Sequence, residues 1–291
     1  MDTITHTLFG YAIYGAYKNE KESKYYNRAL LVSAIGASQI PDIDIVSKLW
    51  DTEGLYQMWH RGITHSVFLT PLWALSFFLL SWILFRIKDK RLFFISWLAV
   101  FIHDTSDLVN AWGTGYFEPF SDVRITFGTI PIVDFVLWAI ILFSFIISKR
   151  TEVPTAKIYR TAWLVIGFHV VVQSVYGYII FQKYEEKYHE VALSADFIPY
   201  NFTVIGKRAE VVDIIDTSFF DKDKILYTIQ SSEQADLELL FEKRPEAKTL
   251  YEWSPFVVIV DDDNYLGVYD PRFYRDGQSF LFEYIKKGEL Q

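Results

Sequence analysis

The chain has 291 residues, 51% hydrophobic and 18% aromatic, with a mean hydropathy of +0.15 and a formal net charge of −8. That is too apolar for an ordinary soluble enzyme and points to a membrane protein, while the lack of cysteine excludes thiolate metal sites, disulfides and thiol redox chemistry. The charge is uneven: residues 183–291 carry 13 Lys/Arg against 22 Asp/Glu and residues 1–182 carry 15 against 14, so no nucleic-acid surface is expected in the acidic part.

In chain order, the opening is not expected to be a cleaved signal peptide, because it begins with Asp2 rather than a basic segment and has no small-residue cleavage site. Residues 3–17 (TITHTLFGYAIYGAY) predict a short apolar helix with Asp2 and His6, four apart, on one face. After a basic stretch (Lys18, Lys21, Lys24, Arg28), residues 29–40 predict a second short helix stopped at Pro41. Both are rich in Gly, Ala and Ser, which let membrane helices pack closely. Residues 46–59 read as a polar connection with interfacial aromatics Trp50, Tyr56 and Trp59.

Apolar helices are predicted over 66–86, 92–111, 131–148 and 161–182, with a Gly-rich aromatic loop at 112–130. From Lys183 the pattern changes to short β-branched runs at 202–205, 211–215, 225–229, 256–260 and 265–269. The Asp261–Asp263 run between the last two reads as a hairpin turn rather than a calcium site. The expected architecture is mostly α: a polytopic transmembrane bundle of about six apolar helices, two of them short, over 1–182, followed by a small β-rich acidic domain over 183–291.

The loops 18–28, 86–91 and 149–160 are basic and the alternate connections are poor in basic residues, which predicts an inward face for the former. Six crossings then put the N-terminus, the β-rich domain and the chemistry-bearing fragments on the extracytoplasmic side of the plasma membrane.

Those fragments are Asp2-Thr3-Ile4-Thr5-His6, Pro41-Asp42-Ile43-Asp44, His60-Arg61-Gly62-Ile63-Thr64-His65-Ser66 and His103-Asp104-Thr105-Ser106-Asp107, and they hold four of the six histidines. Imidazole and carboxylate together are what a hydrolytic metal site requires, and an ionised Asp107 after an apolar run needs a compensating charge. The candidate ligands are Asp2, His6, Asp42, Asp44, His60, His65, His103 and Asp107. Eight such groups exceed what one Zn²⁺ uses, so one or two divalent ions are expected, with Mn²⁺ or Fe²⁺ as alternatives.

Arg61 is expected to hold an anionic substrate and Asp104 to be a base, ligand or orienting carboxylate. Thr64 and Ser66 read as capping or outer hydroxyls, and Asp2 alone could equally be a helix-start carboxylate. His169 is expected to hydrogen-bond within the helices, Asp134 to be a helix-start charge, and His189 to be a solvated linker residue.

MDTITH at the start, PDID at 41–44, HRGITHS at 60–66 and HDTSD at 103–107 together resemble a family of bacterial membrane-bound, metal-dependent hydrolases, the LexA-regulated inner-membrane hydrolases. The resemblance covers roughly residues 1–180 and implies a metal-dependent hydrolase, with a more distant similarity to zinc-dependent phospholipases C. The expected function is hydrolysis of a phosphoester in a lipid or lipid-linked substrate at the membrane. The alternative is a metal-stabilised sensor or scaffold without turnover whose outer domain binds an envelope partner. A transporter is disfavoured, because His169 is the one such group inside a predicted span.

Overall fold

The structure is a computed structural model that describes residues 1–289 and divides into two units. The first comprises Met1–Ile43, Arg61–Thr126 and Ile130–Ser174; the second comprises Asp44–His60, Phe127–Thr129 and the chain from Val175 onward.

The first unit is helical. It contains α1 (Thr3–Tyr17), α2 (Lys24–Ala37), α4 (Thr70–Phe85), α5 (Lys90–Leu108), α6 (Phe135–Arg150) and the first part of α7 (Thr155–Glu185). A polar residue opens most of these helices. Asp2 accepts from the Ile4 and Thr5 amides, Ser23 from Tyr26, Asp89 from Arg91, and Asp134 from Val136 and Leu137. Small residues then let the helices approach. Ala29, Ala34, Ala37 and Ala99 are fully buried beside Leu30 and Leu92. At Gly10 an added Cβ would stand 2.7 Å from the Ile35 Cα and 2.9 Å from the Ala34 carbonyl oxygen, so only glycine permits this crossing.

The six-span expectation is overturned. Among the described residues one helix, α7, with 31 residues, is long and apolar enough to cross a membrane. The count rises to three only if two bent pairs each act as one span: Lys24–Ala37 with Ile40–Leu49, bent by 53°, and Tyr56–His65 with Thr70–Phe85, bent by 71°. The physical reasons are length and charge. Helix α1 has 15 residues, α4 and α6 have 16 each, and α5 carries Lys90, Arg91, Asp104 and Asp107. A 16-residue helix is about 24 Å long, short of a hydrocarbon core of about 30 Å. The outer-face placement expected for the N-terminus and the candidate ligands required six crossings, more than the helix lengths supply.

The second unit is β-rich, as the alternating runs predict. The rest of α7 leads into an antiparallel meander of β1 (Glu190–Ala195), β2 (Asn201–Arg208), β3 (Val211–Ser218) and β4 (Lys224–Gln230). Ala195 pairs with Phe202 and Phe202 with Thr217, so the β1–β2 and β3–β4 turns share one end of the sheet. Ile180 and Tyr184 of α7 pack against Leu193, Ala195, Phe202, Val204 and Ile215.

The same unit holds three short helices: α3 (Tyr56–Trp59), α8 (Glu238–Lys243) and α9 (Pro245–Trp253). A second sheet joins β5 (Val258–Asp261), β6 (Tyr265–Tyr269) and β9 (Phe282–Lys286); β7 (Tyr274–Arg275) pairs with β8 (Gln278–Ser279). The aspartate run does form the β5–β6 turn: Asp262 Oδ1 accepts from the amides of Asn264 and Tyr265, both at 2.8 Å.

Asp223, in the β3–β4 turn, is paired with Lys183 and accepts from Thr217 Oγ1 at 2.7 Å. Burial pushes its carboxyl up, but hydrogen bonds from Lys183, Thr217 and Tyr184 outweigh it and hold the group at about 2. The folded value lies below the unfolded value of roughly 3.9. Its stabilisation is therefore present above about pH 4 and is lost as pH falls toward about 2. The protection factors of amides in β3 and β4 are expected to fall across that window, and Asp223→Asn to remove the acid-dependent part.

Candidate metal centre

Three separate stretches of the first unit bring imidazoles and carboxylates together. Asp42 stands next to Pro41 in the 3-10 run Ile40–Leu49 that follows α2. His65 closes the 3-10 turn Ile63–His65, which follows Arg61 in left-handed backbone (φ +57°). His103 and Asp107, one helical turn apart, project from the last part of α5. One ligand atom from each of Asp42, His65, His103 and Asp107 lies within 4.8 Å of the other three, so this cluster could hold a metal ion.

Individual distances define the cluster. His65 Nε2 is 3.4 Å from both Asp42 Oδ1 and Asp107 Oδ2. His103 Nε2 is 3.1 Å from His65 Nε2, 3.6 Å from Asp42 Oδ1 and 3.7 Å from Asp107 Oδ2. His103 Nδ1 meets the Ser38 carbonyl at 2.7 Å, a contact that requires Nδ1–H to donate and so leaves the Nε2 lone pair facing the cluster. The Thr64 hydroxyl stands 3.1 Å from His65 Nδ1.

The donor set fits a first-row divalent ion. Two ring nitrogens turned toward each other and toward two carboxylates are donors that a divalent metal ion takes. The side chains of His65, His103 and Asp107 are 0% exposed and that of Asp42 is 22% exposed. Three groups are thus closed off, and the fourth is partly exposed.

A basic clamp holds the cluster from one side. Arg61 is buried, with Nε 3.2 Å from Asp107 Oδ2, Nη1 donating to Asn110 Oδ1 at 2.9 Å and Nη2 donating to the Met1 carbonyl at 3.0 Å. The Met1 amine pairs with Asp107 Oδ1. The guanidinium expected to face a substrate is therefore turned inward as a support for Asp107. Asn110 donates to Asp107 Oδ1 at 3.3 Å. Residue reasoning missed the roles of Asn110 and of the Ser38 carbonyl. The first had a signal, an amide three residues after Asp107 and just past the end of α5; the second is a main-chain atom and had none.

The remaining candidates lie as follows. His6 is fully buried on the first turn of α1, stacked on His103 at 3.6 Å, with Nε2 3.4 Å from Asp107 Oδ1. Asp2 caps α1 and accepts from the Thr5 hydroxyl, the helix-start role weighed for it. Asp44 and His60 are outside the four-residue group; in the second unit they pair with each other at 3.1 Å, and His60 stacks on Tyr56.

Asp104 is 0% exposed, and neither carboxylate oxygen has a hydrogen-bond partner among the described residues. The Ser66 hydroxyl donates to the Glu118 carbonyl at 2.5 Å and accepts from the Phe68 amide, as a turn residue does. His169 Nε2 meets Asp134 Oδ2 at 2.8 Å, and His189 is exposed.

Comparison with known proteins agrees with the membrane character. A family model, YdjM inner membrane protein, matches residues 1–183. Protein YfhP of Bacillus subtilis (strain 168), named as uncharacterized, is 31% identical over 138 residues, which are 46% of this chain and 42% of that protein. The match thus spans less than half the length of that relative. No solved structure matches. The chain belongs to the YdjM inner membrane protein family, and every residue of the four-ligand cluster falls inside the matched region.

Proposed function

We propose that this member of the family is a metal-dependent hydrolase of a phosphoester carried by a lipid or lipid-linked molecule. The observation that carries the reading is the cluster itself: two imidazoles and two carboxylates, three of them sealed from solvent and Asp42 reachable. A structural ion has no need of an accessible side, whereas a catalytic one does. Zn²⁺ suits this donor set, with Mn²⁺ or Fe²⁺ as alternatives. A divalent ion bound there supplies Lewis acidity toward a phosphoryl oxygen and makes water a better nucleophile at neutral pH.

The chain's own residues do the rest. Asp42, His65, His103 and Asp107 hold the ion. Ser38 and Thr64 fix the two rings, and Arg61 with Asn110 keeps Asp107 aimed inward. Asp104 is the proton acceptor: a buried carboxylate beside a ligand, with no hydrogen bond competing for its lone pairs. His6 is available for a second ion or as packing for His103. The membrane location supports a substrate whose tail stays in the bilayer.

The test is turnover of a phospholipid and phosphoester panel by purified protein carrying Zn²⁺ or Mn²⁺. Metal-dependent release by the wild type is expected, with Asp104→Asn retaining the metal while losing roughly 10²–10⁴ in rate. A fully metallated wild type that releases nothing from the panel overturns the hydrolase. Burial of three ligands is the feature that favours the second reading, a metal-stabilised sensor or scaffold. That reading predicts lower thermal stability after metal removal and no turnover to lose.

A further inference from the structure

The second unit exposes a group of large apolar side chains at one end of its first sheet. Phe197 and Ile198 lie in the β1–β2 turn, and Phe219 and Phe220 in the β3–β4 turn. All four are more than half exposed, Phe220 at 75%. Strand register puts both turns at the same end of the meander. The Phe219 amide donates to the Tyr200 carbonyl at 3.3 Å, so the turns are joined rather than splayed.

The direction in which this end points is fixed by α7. The helix ends at Glu185, the chain reverses, and β1 runs back along it: Leu193, Ala195 and Phe202 pack with Ile180 and Tyr184. Tyr176 meets Phe219 at 5.7 Å, Phe202 at 5.9 Å and Tyr200 at 6.1 Å between ring centroids. At 1.5 Å per residue, Tyr176 lies about 13 Å back from the end of the helix. The turns therefore lie level with the apolar stretch of α7, the one helix among the described residues long and apolar enough to cross a membrane, where Val175, Tyr178 and Ile179 are themselves exposed.

We propose that the sheet end carrying Phe197, Ile198, Phe219 and Phe220 is a wedge that enters the lipid interface beside α7. Its occupant is a bilayer rather than a protein, because the wedge is continuous with the exposed apolar surface of α7 in a family of inner membrane proteins. Its grip is apolar. Asp223 is engaged by Lys183 and Thr217 and Asp196 by the Phe197 amide, and the exposed neighbours Asp221 and Lys222 carry opposite charges, so the turn offers no net charge to anionic headgroups. The proposal is independent of whether the metal centre turns over substrate.

The lack of cysteine allows a clean test. A single cysteine at Phe220→Cys, or at Glu210→Cys in the exposed β2–β3 turn at the other end of the sheet, is introduced into the full chain and spin-labelled. The protein is reconstituted in phosphatidylethanolamine/phosphatidylglycerol vesicles, and again in phosphatidylcholine. Collisions of the label with oxygen, which concentrates in lipid, are compared with collisions with a water-soluble nickel chelate. The expected result is an inverted ratio, with oxygen favoured at position 220 and nickel at position 210, in both lipids. Nickel favoured at both positions overturns the wedge. Exclusion of both reagents at position 220 also overturns it, because that places the turn against protein.

Discussion

His65→Ala is expected to abolish stoichiometric metal binding, lowering affinity by more than about 100-fold, since even outer-shell partners of a metal ligand are worth roughly 10–100-fold. His65 Nε2 lies within 3.4 Å of both cluster carboxylates and 3.1 Å of the second imidazole, so its removal takes a donor from the middle of the cluster. Elemental analysis and competition with a chromophoric chelator measure the loss. Thr64→Val is the matched control, because it removes only the hydroxyl beside His65 Nδ1 and is expected to fall within the outer-shell range. A His65→Ala protein that binds metal as the wild type does would remove the basis of the centre. The same variant also separates a metal effect from a folding effect: excess Zn²⁺ at about 1,000 times the wild-type dissociation constant is expected to stabilise the wild type by about 4 kcal/mol. It should leave the thermal midpoint of His65→Ala unmoved.

Arg61→Ala is expected to destabilise the protein by about 3–5 kcal/mol, the usual cost of stripping one partner from a buried ion pair. Asp107 would keep its charge with no exposed surface, and Asn110 Oδ1 and the Met1 carbonyl would each lose a donor. The decisive comparison is a double-mutant cycle with Asp107→Asn. If Arg61 serves mainly to neutralise that carboxylate, its removal costs much less once the carboxylate is an amide, and the cycle shows strong coupling. Additive losses in thermal unfolding of detergent-solubilised protein would show that Arg61 acts by some other route. Lysine is not an adequate substitute, because one ammonium cannot reach three acceptors in the geometry of the planar fork.

Much of the centre is written in short fragments. Spacing alone makes His103 and Asp107 share a helix face, and Pro41 marks the irregular segment that lets Asp42 turn inward. The same spacing argument applied to Asp2 and His6 does not see that an aspartate just before a helix is claimed by the free amides of its first turn. Nor does the pattern show that Asp44 and His60 satisfy each other, or that Arg61 faces inward, since each depends on contacts between segments far apart in sequence.

The count of spans fails for a related reason. A run of apolar letters gives neither the length at which its helix stops nor the 53° and 71° bends at its end. In the second unit, β2 to β6 announce themselves by alternation. Helices α8 and α9 do not, because they are short and follow a turn-rich stretch.

The contact between His103 and Ser38 has a consequence for how such a centre can be recognised. The acceptor is a peptide oxygen just after α2, so it belongs to the path of the chain and not to the identity of any residue. Every amino acid supplies that oxygen. A catalogue of sequences, however deep, holds no letter that records it, and only the course of the backbone tells which face of the ring is offered to a cation.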